Sequence, residues 1–526
     1  MENIPVITTT IVGIYLLIVL GIGFFGWRKL QINVTDFFVV NRSLGVFVIF
    51  LTMSATYHSA FAVLTSTAVA TAQGVGWFVG ATAWTVTAGF CMWIFGIRFW
   101  YLGNKFGYVT LADPISDFFQ NKGIRGLIAI VTAGFAIPYV AVQSVAFGLF
   151  AEIGTVGLIS YEWGSFILTF VALLYCVFAG HRAVAWTDVL QGIWMFVMVW
   201  IVSILIVYSA IGGIGELFAE ISREAPEMLG VAGTGWSHPL NLFSSTVLFT
   251  LGLMVTFQHL QMKFYSAMDP ATIKWSGVWT TIYLSAIYIP PVLTGMAAYI
   301  MIQRGALPSV DEIAATWGST DAVLPLMAVE YVPAVLVGLL FAGAVAAAMS
   351  TKDNFLLATS LVIVRDLYQG IIKPDAGERE SVGLGRVVIV VVGLFGWYIG
   401  ILRPGLIFDM VALAVGGTLQ FIVAVVAVLF PTRKLWLSHA GAVAGIVVGV
   451  ILTILLTWPD RFGLAISAHP YALNAALWGL GFNIIVALVV SSFTAKPPAE
   501  SVERIHGYLE ESFYKKPKEE EEKIKT

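Results

Sequence analysis

Ala347, Ser350 and Thr351 stand at i, i+3 and i+4 inside a long apolar run, so a helix there puts them on one face. Two neighbouring hydroxyls and a main-chain carbonyl are hard oxygen donors. A neutral set of this kind suits a small cation such as Na⁺, held by dipoles more than by charge. A second segment, Thr52-Met53-Ser54-Ala55-Thr56-Tyr57-His58-Ser59-Ala60, is a polar interruption in the middle of another apolar run. Small and hydroxyl residues let a helix break there while its backbone groups stay satisfied. Taken singly, hydroxyls in such runs also bond back to the i−4 carbonyl and do nothing more, so at this level both readings of Ser350 and Thr351 stand. Tyr139 and Gln143, four residues apart, face one way. With Tyr57, His58, Ser59 and Gln258 they make a polar set able to hold a carboxylate or an amide. Each is equally suited to a helix–helix hydrogen bond.

Ionisable groups inside apolar runs cost roughly 2.5–3.5 kcal/mol each on insertion scales, so each one asks for a reason. Asp188, Lys352 and Asp353 lie inside runs; Asp409, His58, His259 and Glu330 lie closer to ends or breaks. No His, Cys or carboxylate cluster has metal-ligand spacing. No phosphate-binding G-x-x-x-x-G-K-[ST] is present, and no Ser/His/Asp grouping argues for an enzyme. No repeated filter-like segment or ring of like charge argues for a channel. A solute carrier that needs no cofactor beyond a coupling ion is the reading left.

The elements that must position these residues are set by composition. Of 526 residues, 59% are hydrophobic and 11% charged, with a mean hydropathy of +0.88. Ordinary soluble proteins carry about 25% charge, so a water-soluble fold is excluded. The 17 Trp and 36 Phe suit a chain with two membrane interfaces to anchor. A net charge of −3 implies no general affinity for nucleic acid. Cys91 and Cys176, the two cysteines, both sit in apolar runs, which excludes a disulfide scaffold. The stretch 6–27 is long enough to span and has no basic region before it, unlike a cleaved signal peptide.

At about 20 residues per crossing, thirteen spans are expected near 6–27, 46–72, 75–101, 124–153, 163–180, 183–211, 240–262, 275–303, 332–365, 384–402, 405–430, 437–457 and 473–494. An odd number puts the termini on opposite sides. Segments 212–239 and 304–331 are long enough for short surface helices. With the N-terminus outside, 23 of the 28 Lys and Arg fall on the inner side, Lys263 among them. Arg223, Arg304, Arg403 and Arg461 fall outside, and Lys352 lies within a span. The positive-inside rule then predicts an external N-terminus and a cytoplasmic C-terminus in a plasma-membrane protein. The polar end from Lys496, with its mixed Lys/Glu run 515–525, reads as a solvated tail.

Four stretches carry a family resemblance. They are Asp36-Phe37-Phe38-Val39-Val40-Asn41-Arg42-Ser43-Leu44-Gly45; Gly180-His181-Arg182-Ala183-Val184-Ala185-Trp186-Thr187-Asp188-Val189-Leu190-Gln191; and 346–354 with Leu356-Leu357-Ala358-Thr359-Ser360 and Arg365-Asp366-Leu367-Tyr368 after it. The looser fourth is Gln258-His259-Leu260-Gln261-Met262-Lys263-Phe264. In order and separation, over roughly 10–495, they resemble the sodium/solute symporter family. The resemblance implies an all-α integral membrane protein with a five-plus-five inverted-repeat (LeuT-type) core at 46–430. An extra helix and inner loop would occupy 1–45, two further helices 431–495, and a polar cytoplasmic tail 496–526. It also implies a sodium-coupled secondary active symporter importing a small organic solute by alternating access. The partners would be the solute, Na⁺ and the lipid bilayer, with no obligatory protein partner.

Carried over position by position, the family's sodium site maps to the carbonyls of Ala55, His58 and Ala347 and the hydroxyls of Ser350 and Thr351. Asp188 matches a fifth-helix carboxylate near that site. The segments 57–61, 107–113 and 138–143 resemble the monocarboxylate and pantothenate branches, which favours an organic acid or amino acid over a sugar or urea-like solute. Lys352 departs from the family, which usually has a small or apolar residue there. The favoured expectation is that Lys352 pairs with Asp188 or Asp353 and leaves sodium coupling intact. The alternative is that its ammonium takes the ion's place, giving a proton-coupled or sodium-independent carrier. A transporter-like sensor is disfavoured, since about 30 residues after the last span are too few for a signalling domain.

Overall fold

A computed structural model describes residues 3–230, 239–402, 407–432, 434–464 and 470–514. Every regular element among them is a helix. Apolar runs in lipid must satisfy their backbone internally, and helices do so within one segment. In chain order the long elements are α1 (Ile4–Arg28), the bent pair α2 (Val46–Tyr57) and α3 (Phe61–Gln73), α4 (Val75–Phe106), α5 (Lys122–Gly154), α6 (Tyr161–Ile211), the bent pair α7 (Leu240–Val255) and α8 (Gln258–Ser266), α9 (Pro270–Gln303), α10 (Ala334–Ile372), α11 (Glu378–Ile401), the bent pair α12 (Ile407–Leu419) and α13 (Ile422–Leu429), α14 (His439–Thr457) and α15 (Ala475–Phe493).

Among the described residues nine single helices and three bent pairs are long and apolar enough to cross a membrane, at most twelve against the thirteen expected. The difference lies in α6. The sequence reads it as spans 163–180 and 183–211, whereas the structure joins them in one 51-residue element. A straight helix of that length would run to about 75 Å, against a hydrocarbon core about 30 Å thick. Gly180 interrupts it, with φ 60° and ψ −154°. A Cβ at Gly180 would lie 2.6 Å from the Phe37 carbonyl oxygen, so only glycine fits.

The halves 46–211 and 240–429 each open on a broken helix, with bends of 61° and 48°, as a five-plus-five inverted repeat requires. α6 packs on α1, α2, α5 and α10, and α14 and α15 pack on each other at the end of the chain. Surface helices Ile214–Glu224 and Val310–Trp317 fall within the two segments predicted to carry them.

The C-terminal end departs from the solvated tail expected for 496–526. Helical turns run from Ala499 to Tyr514 and dock on the short helix Ala112–Phe119. Ser501 Oγ donates to the Phe118 carbonyl at 2.8 Å, and Arg504 pairs with Asp117 at 2.5 Å. Ser501, Ile505 and Leu509 recur every fourth residue and are buried. That stripe is the physical reason for docking, and average composition conceals it. Arg403, Arg433 and the run 515–525 lie outside the described residues.

Candidate ion-binding site

The break between α2 and α3 falls where the polar interruption predicted it. His58 leaves the helical region, with φ −91° and ψ 105°. A helix end leaves its last carbonyls without intrahelical donors. The Ser54 carbonyl is met by the His58 N–H at 3.1 Å. The next two carbonyls turn toward α10. Ser350 Oγ donates to the Ala55 carbonyl at 2.8 Å and lies 3.0 Å from the Ala347 carbonyl. Thr351 Oγ1 lies 3.2 Å from the Thr56 carbonyl and 3.3 Å from the Ala347 carbonyl. Four of the expected ligands, Ala55, Ala347, Ser350 and Thr351, are therefore brought together. His58, the fifth, stands at the break itself, and Thr56 adds a carbonyl beside Thr351. Sequence reasoning missed Thr56, although its place in the last turn of α2 was a usable signal. The five oxygens are neutral and buried, a set able to hold a small hard cation by dipoles.

One helical turn back along α2, Thr52 meets two charged groups from other helices. Thr52 Oγ1 donates to Asp188 Oδ2, and Asn354 Nδ2 donates to the same oxygen at 3.0 Å. Asn354 Nδ2 also reaches the Ser350 carbonyl at 2.7 Å, linking the carboxylate to the hydroxyl pair. The cation facing Asp188 is Lys263 on α8, at 3.3 Å, with both side chains fully buried. Its ammonium also donates to Thr52 Oγ1 at 2.5 Å and to the Thr52 carbonyl at 3.2 Å.

The expected pairing of Lys352 with Asp188 is corrected here. Lys352 Nζ donates to Ser144 Oγ at 2.6 Å and Thr169 Oγ1 at 2.5 Å, and lies 5.2 Å from the centre of the Phe147 ring. Adjacent helical residues point about 100° apart, so Lys352 faces α5 and the first part of α6, away from Asp188. Asp353 accepts from the Tyr175 hydroxyl.

The solute candidates are partly engaged by the scaffold. Gln258 Oε1 accepts from Leu111 N at 2.8 Å and Nε2 donates to the Val109 carbonyl at 3.1 Å, which ties the second break to the loop before Ala112. Gln143 Oε1 accepts from Ala60 N at 3.4 Å, steadying the first break. Ser59 Oγ accepts from Phe61 N, and the Tyr57 hydroxyl donates to the Phe249 carbonyl. Tyr139 stacks on Phe355 with ring centres 4.3 Å apart, and His259 stacks there at 3.9 Å. His58 and His259 are fully buried, and neither ring nitrogen of either has a hydrogen-bond partner among the described residues. His259 lies at the start of α8, directly after the second break, and His58 at the first.

At the end of the bundle that holds Arg42, ion pairs join the helices. Arg125 pairs with Asp113 and, at 2.9 Å, with Asp366, while Arg182 pairs with Asp36. Arg42 donates to the carbonyls of Tyr265 and Tyr108 at 3.1 and 2.9 Å.

The sodium:solute symporter family profile matches residues 37–449. The chain is 26% identical to the sodium/pantothenate symporter of Escherichia coli (strain K12) over 409 residues, covering 77% of this chain and 81% of that protein. It is 27% identical to the high-affinity proline transporter PutP of Bacillus subtilis (strain 168) over 500 residues, covering 93% and 98%. Among solved structures, a Na⁺-coupled sialic acid symporter in a substrate-bound outward-open state superposes with a TM-score of 0.79 at 18% identity, over 94% of this chain and 98% of that one. Mhp1, a nucleobase-cation-symport-1 family transporter, superposes at 0.51 with 13% identity, over 90% and 98%. At these identities the two structures speak for the fold.

Proposed function

The chain belongs to the sodium:solute symporter family, and from that premise we propose that it imports a small organic acid or amino acid across the plasma membrane, coupled to Na⁺ by alternating access. The observation that carries this reading is the meeting of the Ser350 and Thr351 hydroxyls with the carbonyls of Ala55, Thr56 and Ala347 at the break after α2. A cation held there touches both a broken helix and α10. Its binding energy therefore favours the arrangement in which the two are together, and a solute that also needs that arrangement gains affinity by the same factor.

What lines the two breaks supports this solute class. His58 and His259 bring buried ring nitrogens with no hydrogen-bond partner among the described residues, suited to donating to a carboxylate. The faces of Tyr139, Phe257 and Phe355 suit an apolar body. The excess of Lys and Arg argues that the end holding Arg42 and Arg125, together with the C-terminus, is cytoplasmic. The pantothenate and proline carried by the named relatives are both carboxylates, in keeping with this class. Uptake of a radiolabelled panel of organic acids and amino acids, pantothenate and proline included, into proteoliposomes tests the reading. Accumulation of at least one acid should require an inward Na⁺ gradient. Accumulation driven by a proton gradient without Na⁺ would overturn it.

A further inference from the structure

We propose that Lys263 is a built-in cation holding the place of a second coupling ion, so that one Na⁺ accompanies each solute. The inference rests on the sodium-coupled reading above and extends it to stoichiometry. Among the described residues the ammonium's partners are a carboxylate, a hydroxyl and a main-chain carbonyl, hard oxygens of the kind that also suit a small cation. Thr52, which the ammonium contacts, lies three and four residues before Ala55 and Thr56, about 4.5–6 Å back along α2 from the hydroxyl site. Two residues join the two places: Asn354 Nδ2 contacts both the Ser350 carbonyl and Asp188, and Thr56, whose carbonyl meets Thr351, donates its hydroxyl to Asp188 Oδ2 at 3.4 Å.

Charge balance points the same way. Asp188 is a fully buried carboxylate, and its Oδ2 gathers Thr52, Thr56, Asn354 and Lys263 while Oδ1 has no hydrogen-bond partner among the described residues. A carboxylate in that state needs a cation nearby. Lys263 supplies it from α8, and a tethered cation is always present at high effective concentration. A free Na⁺ entering beside the ammonium would meet a like charge in a poorly screened interior. The same tether crosses from the second broken helix to the first, so the fixed cation also joins the two halves of the repeat.

Removal of the ammonium should open Asp188 to the solution ion. Wild-type uptake should rise hyperbolically with Na⁺, with a Hill coefficient of about 1, and K263Q should become sigmoidal, with a coefficient rising toward about 2. K263R keeps a cation, and D188N/K263Q removes the carboxylate as well, so both should stay at about 1. A loss of packing alone would lower the rate without changing the order in Na⁺. If K263Q does not insert, equilibrium ²²Na⁺ binding to the purified wild-type protein still decides, because one ion per chain is expected. Two ions per wild-type chain, or an active K263Q with a hyperbolic curve, overturns the proposal. Absence of any Na⁺ binding or dependence in the wild type overturns the sodium-coupled reading and the proposal together.

Discussion

Lys263 and Lys352 are both fully buried, yet they are held in different ways. Lys263 faces a carboxylate and its supporting hydroxyl. Lys352 lies between two neutral hydroxyls and a phenyl ring. Hydroxyls satisfy the ammonium's hydrogen bonds without balancing its charge, whereas a carboxylate does both. The difference teaches that nearness in sequence to the proposed ion ligands is a poor guide to which charged groups pack beside them. Lys352 follows Thr351 directly and is turned away by the helical period. Lys263 is some ninety residues from the hydroxyl pair and is delivered beside it by the second helix break.

The largest effect that would break this comparison is expected at Asp188. Asp188→Asn leaves Lys263 a buried charge without its counter-ion, which should cost about 3–5 kcal/mol. The variant should show a large drop in melting temperature in detergent, and D188N/K263M should recover most of it. An unchanged melt for Asp188→Asn would mean that the pair does not hold Lys263 in place. Next in size, Ser350→Ala or Thr351→Ala removes one neutral oxygen from the proposed ion site. The Na⁺ concentration for half-maximal uptake should rise about 5–150-fold, equivalent to about 1–3 kcal/mol. Unaltered Na⁺ activation in both variants would reject the site. Around the other lysine, Ser144→Ala or Thr169→Val takes an acceptor from Lys352 and should cost about 1–3 kcal/mol of stability. Their melts should fall while the Na⁺ dependence of uptake stays as in the wild type.

Much of this arrangement was legible in the sequence. The i, i+3, i+4 spacing of Ala347, Ser350 and Thr351 and the polar interruption at 52–60 marked the two segments that meet at the proposed ion site, because helical period and chain breaking are local properties. Lys263 was not legible, because hydropathy puts it at the end of a span, where a lysine normally faces water. Only the 48° break before Gln258 and the fold of α8 into the bundle bury it. The partner of Lys352 was missed for a related reason. Choosing among acceptors on other helices needs the packing of α10 against α5 and α6, which no local pattern encodes. The docked segment 499–514 carries Ile505 and Leu509 four residues apart, a signal hidden by a highly charged average.

The direct test of the account is the Na⁺ activation of solute uptake measured side by side for wild type, Lys352→Met and Lys263→Gln in proteoliposomes. Only Lys263 should belong to the ion pathway. Lys352→Met should follow the wild-type curve, with half-saturation within about twofold, a shift of about 0.4 kcal/mol. Lys263→Gln should change the curve from hyperbolic to sigmoidal. A shifted or newly sigmoidal curve for Lys352→Met, beside an unchanged one for Lys263→Gln, would contradict the account and return Lys352 to the ion site.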